Sequence, residues 1–482
     1  MNFNLSIQRF LISFFWVFWF GNWVGFIQGG LLYAQSPINL DTVPRLGVPS
    51  SAGIWGISVR DMESGKELSG LNQQLSLTPA SVQKMLTTAA AFSYLGSNFQ
   101  FETKFYLTKS GRDWFLLVEG GWDPSFGSNL FKGFEQKSLF DSLAVFLLKN
   151  KVDRLSGVYA INDGKQQDII PDSWPWGDVG NYYGASISKL SYNQNRLRLT
   201  FCTEEAGSPA TLVQVSPTQP NVVWESHVVA GPENSGDNAF IYGGLYQSPR
   251  QITGSLPPNR MEFSIQGSVV LPTLSALNQI RLGLLLRGVQ GLERTDWAME
   301  EIASQRSSAV MVWKSAPLNL LATHINQFSN NVMAEHLLVG IGGGNYAKGR
   351  DSVRAWLKRQ AENPSLFFDD GSGLSRANGI SPSLLTQYLY SWSTEPWFFK
   401  WQETLAVSGK TGTLTAFTTS KLKFNFQGKS GSIGQVKTYA GYLTCNSGKR
   451  VAVAVFVNAV PGSLSYVVPD ILKTLEGIQS QY

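Results

Sequence analysis

The 482-residue chain is short of charge, cysteine and histidine. Asp, Glu, Lys and Arg make up 15% of it, against about a quarter in a typical soluble protein. Its 39 basic and 34 acidic side chains leave a formal charge of +5, and no run of five like charges occurs. A nucleic-acid partner would call for a basic stripe, so no nucleic-acid partner is expected. Two cysteines, Cys202 and Cys445, build neither a disulfide framework nor a four-thiolate zinc site. They fall in different predicted regions and are not expected to pair. The three histidines, His227, His324 and His336, lack HExxH spacing and are read as structural. Any catalysis is therefore expected to run without a metal, a cofactor or a histidine-rich site. What is present is 43% hydrophobic residues, 47 Gly and 15 Trp. That content excludes a disordered chain and suits a loop-rich, exported protein.

No charged residue occurs from Phe10 to Leu40, Arg9 precedes that stretch, and a small residue follows at Leu32-Tyr33-Ala34. This pattern predicts a signal peptide over 1–34. The apolar run is also long enough to remain as an uncleaved anchor. Either way the rest is expected to lie outside the cytoplasm, with membrane contact only through that segment.

After this, a hairpin pattern over Ile54 to Leu68 leads to Pro79-Ala80-Ser81 and an apolar helical run, Met85 to Leu95. Short β-like runs with Gly, Pro and Asn between them fill the region from about Phe101 to Ile265, and helical patterning returns near Leu271. The end alternates as a β-meander and closes on a helix from about Tyr466. These shifts predict a signal peptide over 1–34 and a discontinuous main domain in two parts, 35–100 and 271–482. A β-rich insertion over 101–270 splits it.

Ser81-Val82-Gln83-Lys84 is the first chemical candidate. Residues i and i+3 share a helix face, so Lys84 would stand beside the Ser81 hydroxyl. Serine is a weak nucleophile without an adjacent base, and a buried lysine can serve as that base once its pKa falls. The same spacing occurs at Ser186–Lys189 and Ser420–Lys423, but only Ser81 opens a long apolar helix. Ser329-Asn330-Asn331, between two helical patterns, is the second candidate; Ser191-Tyr192-Asn193 repeats its spacing within the β-rich block. The third element, a cation followed by a hydroxyl and Gly, has two candidates: Lys410-Thr411-Gly412 and Lys429-Ser430-Gly431. A strand from Lys429 turns at Gly434 straight into Tyr439 to Thr444. A strand from Lys410 would have to cross a connection longer than hairpins use.

Together these elements resemble the class C low-molecular-mass penicillin-binding proteins, D-alanyl-D-alanine carboxypeptidases and endopeptidases whose motifs are SxxK, SxN and KTG. Further stretches carry the likeness: Val59-Arg60-Asp61, Gly120 to Pro124, Trp174 to Gly184, and Asp370-Gly371-Ser372-Gly373-Leu374-Ser375-Arg376. In that family a Gly-Thr-Leu stretch precedes the true KTG, which lies twelve residues before a Gly-Tyr or Gly-Phe. Leu405 to Leu414 fits the former and Lys429 to Gly441-Tyr442 the latter, so Lys410 is read as a lookalike.

The resemblance implies an α+β, multi-domain penicillin-binding-protein/β-lactamase-like transpeptidase fold, an antiparallel sheet flanked by helices. Ser81 would then attack the penultimate D-alanine, with Lys84 as base. Ser329 and Lys429 would relay a proton to the leaving D-alanine, and Asn331 would position the substrate amide. Lys429 and Ser430, followed by Gly431, would hold the terminal carboxylate, and the N–H groups of Ser81 and Ser432 would form the oxyanion hole. Asp178 and Arg376 fall in stretches near the peptide pocket, where they either touch substrate or serve structure. The implied partners are peptidoglycan stem peptides ending in D-Ala-D-Ala, with β-lactams as covalent inhibitors. A catalytically weak peptidoglycan-binding protein and a β-lactamase are the alternatives.

Overall fold

The computed structural model describes residues 53–162, 168–298, 310–361, 366–417 and 421–482. The expected segment 1–34 and the Ser420–Lys423 repeat lie outside the described residues or begin there.

A six-stranded antiparallel sheet carries the site. Its order is Ala406–Val407, Phe426–Ile433, Val436–Thr444, Arg450–Asn458, Ile54–Asp61 and Glu67–Leu71. The first and last parts of the sequence therefore meet inside one sheet. The strand Arg450–Asn458 is apolar at nearly every position because both of its faces are covered. Side chains alternate along a strand. Val451, Val453, Val455 and Val457 thus enter one core, while Ala452, Ala454 and Phe456 enter the other. The helix Val468–Gln481 covers the first face through Ile471, Leu475 and Ile478, a row at i, i+4 and i+7. The opposite core takes side chains from the helices Gln83–Leu95, Leu318–Phe328, Asn331–Ile341 and Pro382–Ser391.

The inserted region leaves this body at Phe101 and returns at Ser315. The two crossings are bonded to each other: Phe101 N–H donates to Ser315 Oγ and Ser315 N–H to the Phe101 carbonyl, both at 2.9 Å. Between them lies a mixed five-stranded sheet ordered Gln290–Trp297, Arg154–Ala160, Asp113–Glu119, Glu102–Ser110, Val310–Lys314. The helices Gln136–Lys149 and Pro272–Leu285 bury Leu139, Leu143, Ala276 and Ile280 against it.

Beyond it, two three-stranded sheets share a small core of Leu197, Leu199, Phe201, Val228, Ile252 and Ile265. The helical return expected at 271 is thus part of the inserted region, which by its sheet runs to Lys314. An apolar face at helical spacing looks the same whichever layer it packs against.

Candidate active site

Ser81 lies in a 3-10 turn, Ala80–Val82, that runs directly into the helix Gln83–Leu95. The turn is fastened to the sheet, because Thr438 Oγ1 donates to the Pro79 carbonyl at 2.7 Å. It also passes close under the strand Phe426–Ile433. A Cβ placed on Gly431 would stand 3.0 Å from Ser81 N and 2.9 Å from the Pro79 carbonyl. Only glycine permits that approach.

One turn along the helix, Lys84 is fully buried. Its Nζ lies 3.0 Å from Ser81 Oγ, 2.6 Å from Asn331 Oδ1 and 2.6 Å from the Ser372 carbonyl. Burial pushes its pKa down to about 7, against the opposing pull of Asp370 and Glu335. A neutral amine has two N–H groups, which match the two short contacts. Its lone pair then faces the Ser81 hydroxyl, the geometry of a general base.

Each residue of Ser329-Asn330-Asn331 has its own backbone task. Ser329 closes the helix Leu318–Phe328 in the left-handed region, φ 62°, a conformation that costs an L-residue roughly 1–2 kcal/mol. Asn330 caps the next helix, its Oδ1 accepting from Met333 N–H at 3.0 Å. Asn331 opens that helix and faces inward. Its Nδ2 donates to the Tyr183 carbonyl at 2.7 Å, which fixes Oδ1 toward Lys84.

From the sheet side, Lys429 is fully buried and donates to Ser329 Oγ at 3.0 Å and to the Ser430 carbonyl at 2.6 Å. Burial, reinforced by the charges of Lys84 and Lys437, pushes its pKa well below the ordinary lysine value. Ser430 Oγ donates to Thr413 Oγ1 at 2.7 Å, and Lys437 Nζ donates to Ser432 Oγ at 2.7 Å. Lys410 lies exposed in the turn after Ala406–Val407. That turn nonetheless delivers Thr413 to the site.

A cleft of about 450 Å³ opens over these groups, lined by Ser81, Ser329, Asn331, Ser430 and Ser432. Asp178, Arg376, Tyr183 and Thr413 also line it. Tyr183 Oη donates to Asp178 Oδ1 at 3.2 Å, and burial raises the Asp178 pKa while Arg376 opposes the rise. Gly431 lies behind Ser430, against the serine turn.

Behind the nucleophile stands a buried acid layer that motif reading missed. Asp370 accepts from Gly373 N–H, Ser375 N–H, Asn378 Nδ2 and Trp174 Nε1 at 2.7–2.8 Å. These bonds fold the loop that presents the Ser372 carbonyl to Lys84. Glu335, fully buried, accepts from Gly371 N–H and Tyr346 Oη, both at 2.9 Å. Burial, with Asp370 nearby, pushes its pKa up to about 8. Asp370 had a sequence signal in the Asp370–Arg376 stretch, whereas Glu335, on the helix after Asn331, had none.

The competing motifs have other work. Ser191 is buried among Ser188, Asn195 and His336, and Ser186 precedes a two-residue strand, Ile187–Ser188. His336 donates or accepts only among buried groups, near Val332 and Ser188. Both cysteines are free. Among the described residues no cluster of His, Cys, Asp or Glu is placed to hold a metal ion, and no helix is long and apolar enough to cross a membrane.

Several known proteins are similar to this chain. The chain is 24% identical over 446 residues to a D-alanyl-D-alanine carboxypeptidase of Actinomadura sp. (strain R39), covering 86% of this chain and 80% of that one. It is 22% identical over 437 residues to D-alanyl-D-alanine carboxypeptidase DacB of Haemophilus influenzae, covering 84% and 85%. The crystal structure of penicillin binding protein 4 from Haemophilus influenzae superposes with a TM-score of 0.73 at 20% identity, over 89% of this chain and 96% of that one. A penicillin-binding-protein fold is thereby established. Over residues 42–481 the sequence matches the model of the D-Ala-D-Ala carboxypeptidase 3 (S13) family, and the chain belongs to that family.

Proposed function

We propose that the protein is an exported serine-type D-Ala-D-Ala carboxypeptidase/endopeptidase that cleaves peptidoglycan stem peptides through an acyl-enzyme and is acylated by β-lactams. The observation that carries this reading is the position of Lys84 Nζ between Ser81 Oγ, Asn331 Oδ1 and the Ser372 carbonyl.

The neutral form of Lys84, about half of the population near pH 7, takes the Ser81 proton as Oγ attacks the carbonyl of the penultimate D-alanine. The Ser81 and Ser432 N–H groups face the oxyanion that develops. Asn331 holds the substrate amide. The Lys429–Ser329 pair passes a proton to the departing D-alanine nitrogen. Ser430, with Thr413 beside it, receives the terminal carboxylate. Asp178 and Arg376 meet the peptide further along the cleft. Water then attacks the ester, its proton refilling the Lys429–Ser329 pair, while Lys84 returns the proton it took to Ser81 Oγ as the ester bond breaks.

Two measurements on purified protein test this: covalent labelling by a fluorescent penicillin and D-alanine release from a pentapeptide. Label on wild type but none on Ser81→Ala, together with D-alanine release, is the expected result. Equal label on both proteins sinks the serine assignment. Label lost within seconds would instead identify a β-lactamase. Secretion of a full-length fusion into the periplasm tests the localisation.

A further inference from the structure

A cavity larger than the catalytic cleft lies in the inserted region rather than over Ser81. It encloses about 790 Å³, against about 450 Å³ for the catalytic cleft. Its floor is the outer face of the sheet formed by Thr211–Ser216, Arg196–Thr203 and Arg260–Ser268. Along the middle strand Leu197, Leu199 and Phe201 enter the core, so Arg196, Arg198 and Thr200 form a row on the trough side. Successive members of such a row lie about 6.6–6.8 Å apart. Gln266 stands opposite Arg198, and Ser264 and Gln214 flank Thr200. The helix Pro272–Leu285 supplies the wall, with Ser275 and Gln279 facing in.

Three features set this trough apart from an incidental groove. First, it joins the catalytic cleft: Arg196 lines both. Its guanidinium lies 5.1 Å over the ring of Tyr182, itself a wall of the cleft, and among the described residues no carboxylate pairs with it. Second, polar groups in its wall lack protein partners. Gln194 is 2% exposed, yet its Nε2 bonds to nothing; Tyr192 Oη and Arg196 Nε are in the same condition. Leaving such groups unpaired costs on the order of 1–3 kcal/mol each. Third, Asn193, Gln194 and Asn195 hold φ values of 48°, 55° and 53° in succession, strain of the kind that collects at ligand clamps.

The lining is amides, hydroxyls and two arginines. Planar amides and guanidinium forks pair with neighbouring hydroxyl and acetamido groups two at a time. We propose that the trough is a subsite for an N-acetylated glycan chain, which runs along the Arg196–Arg198–Thr200 row while the peptide hanging from it enters the cleft. The proposal rests on the peptidase reading, since it is the stem peptide that ties the two ligands together.

The test titrates a soluble N-acetylglucosamine pentamer, which carries no peptide, into the full-length protein. Binding is expected for wild type. It should weaken roughly tenfold or more in Arg198→Ala/Gln214→Ala, which removes two exposed floor contacts. Acylation by fluorescent penicillin reports that each protein is folded. No binding to folded wild type overturns the proposal, as does equal binding to the variant. Displacement of the pentamer by a tetraglutamate peptide at the same residues also overturns it, in favour of an acidic peptide. A protein that binds the pentamer at the trough but releases no D-alanine would sink the peptidase reading and leave the trough standing.

Discussion

Lys84 Nζ donates to Asn331 Oδ1 at 2.6 Å, across two helices whose residues stand far apart in the chain. The same amide is held from behind by its bond to the Tyr183 carbonyl, so Lys84 has one orientation available. With its pKa pushed down to about 7 by burial, the acylation rate by a β-lactam should climb about tenfold per pH unit below pH 7 and level off above it. Labelling rates measured from pH 5 to 9 check this. A flat profile, or a midpoint near the ordinary lysine value, would remove Lys84 as the base.

The two candidate cations of the third motif differ in what they touch. Lys429 is buried against Ser329, and Lys410 is exposed in a turn. Lys429→Ala is expected to lower D-alanine release on the order of a hundredfold or more, and Lys410→Ala to change it less than about twofold. The reverse order of effects would transfer the role to Lys410.

Glu335 distinguishes charge from hydrogen bonding. Its folded pKa stands at about 8, above the 4.5 of an unperturbed side chain. The folded protein therefore holds a proton that the unfolded chain gives up. Its contribution to stability is complete below about pH 4.5 and is lost as pH rises through about 8. Glu335→Gln copies the protonated carboxyl, so it should keep activity at pH 7 and flatten the fall in Tm between those values. Glu335→Ala strands Gly371 N–H and Tyr346 Oη and should cost about 2–4 kcal/mol by denaturant unfolding. Matching pH profiles for wild type and Glu335→Gln would refute the protonated state.

Gly431 offers a steric test. A Cβ there would come within 2.2 Å of Thr438 Oγ1 as well as 3.0 Å of Ser81 N. Gly431→Ala should push the strand off the serine turn and slow acylation at least about tenfold, with the fold retained in circular dichroism. Unchanged acylation would mean that the close approach is not needed.

Much of this site was legible in the sequence, for reasons that differ by element. Ser81 and Lys84 could be read because Pro79-Ala80 announces a helix start and the apolar run that follows buries what it carries. Lys429 could be read because Gly434 sets the turn into the next strand, and the strands Phe426–Ile433 and Val436–Thr444 pair accordingly. Thr413, Tyr183 and Glu335 could not, since each reaches the site through contacts between distant segments that no local period encodes. Thr413 even lies inside the stretch set aside with Lys410. The layer that Pro272–Leu285 joins was not legible, because this helix has the same apolar spacing as the helices of the catalytic layer. Only its partner, the five-stranded sheet, tells them apart.

The strand Arg450–Asn458 lies between Val436–Thr444 and Ile54–Asp61, the two halves of the catalytic sheet. During synthesis the serine helix emerges early, but the lysine-bearing strand has nothing to join it to until this strand appears. A nascent or prematurely terminated chain thus carries its nucleophile without an assembled hydrolase. Competence for hydrolysis is therefore expected only once this late strand has been made.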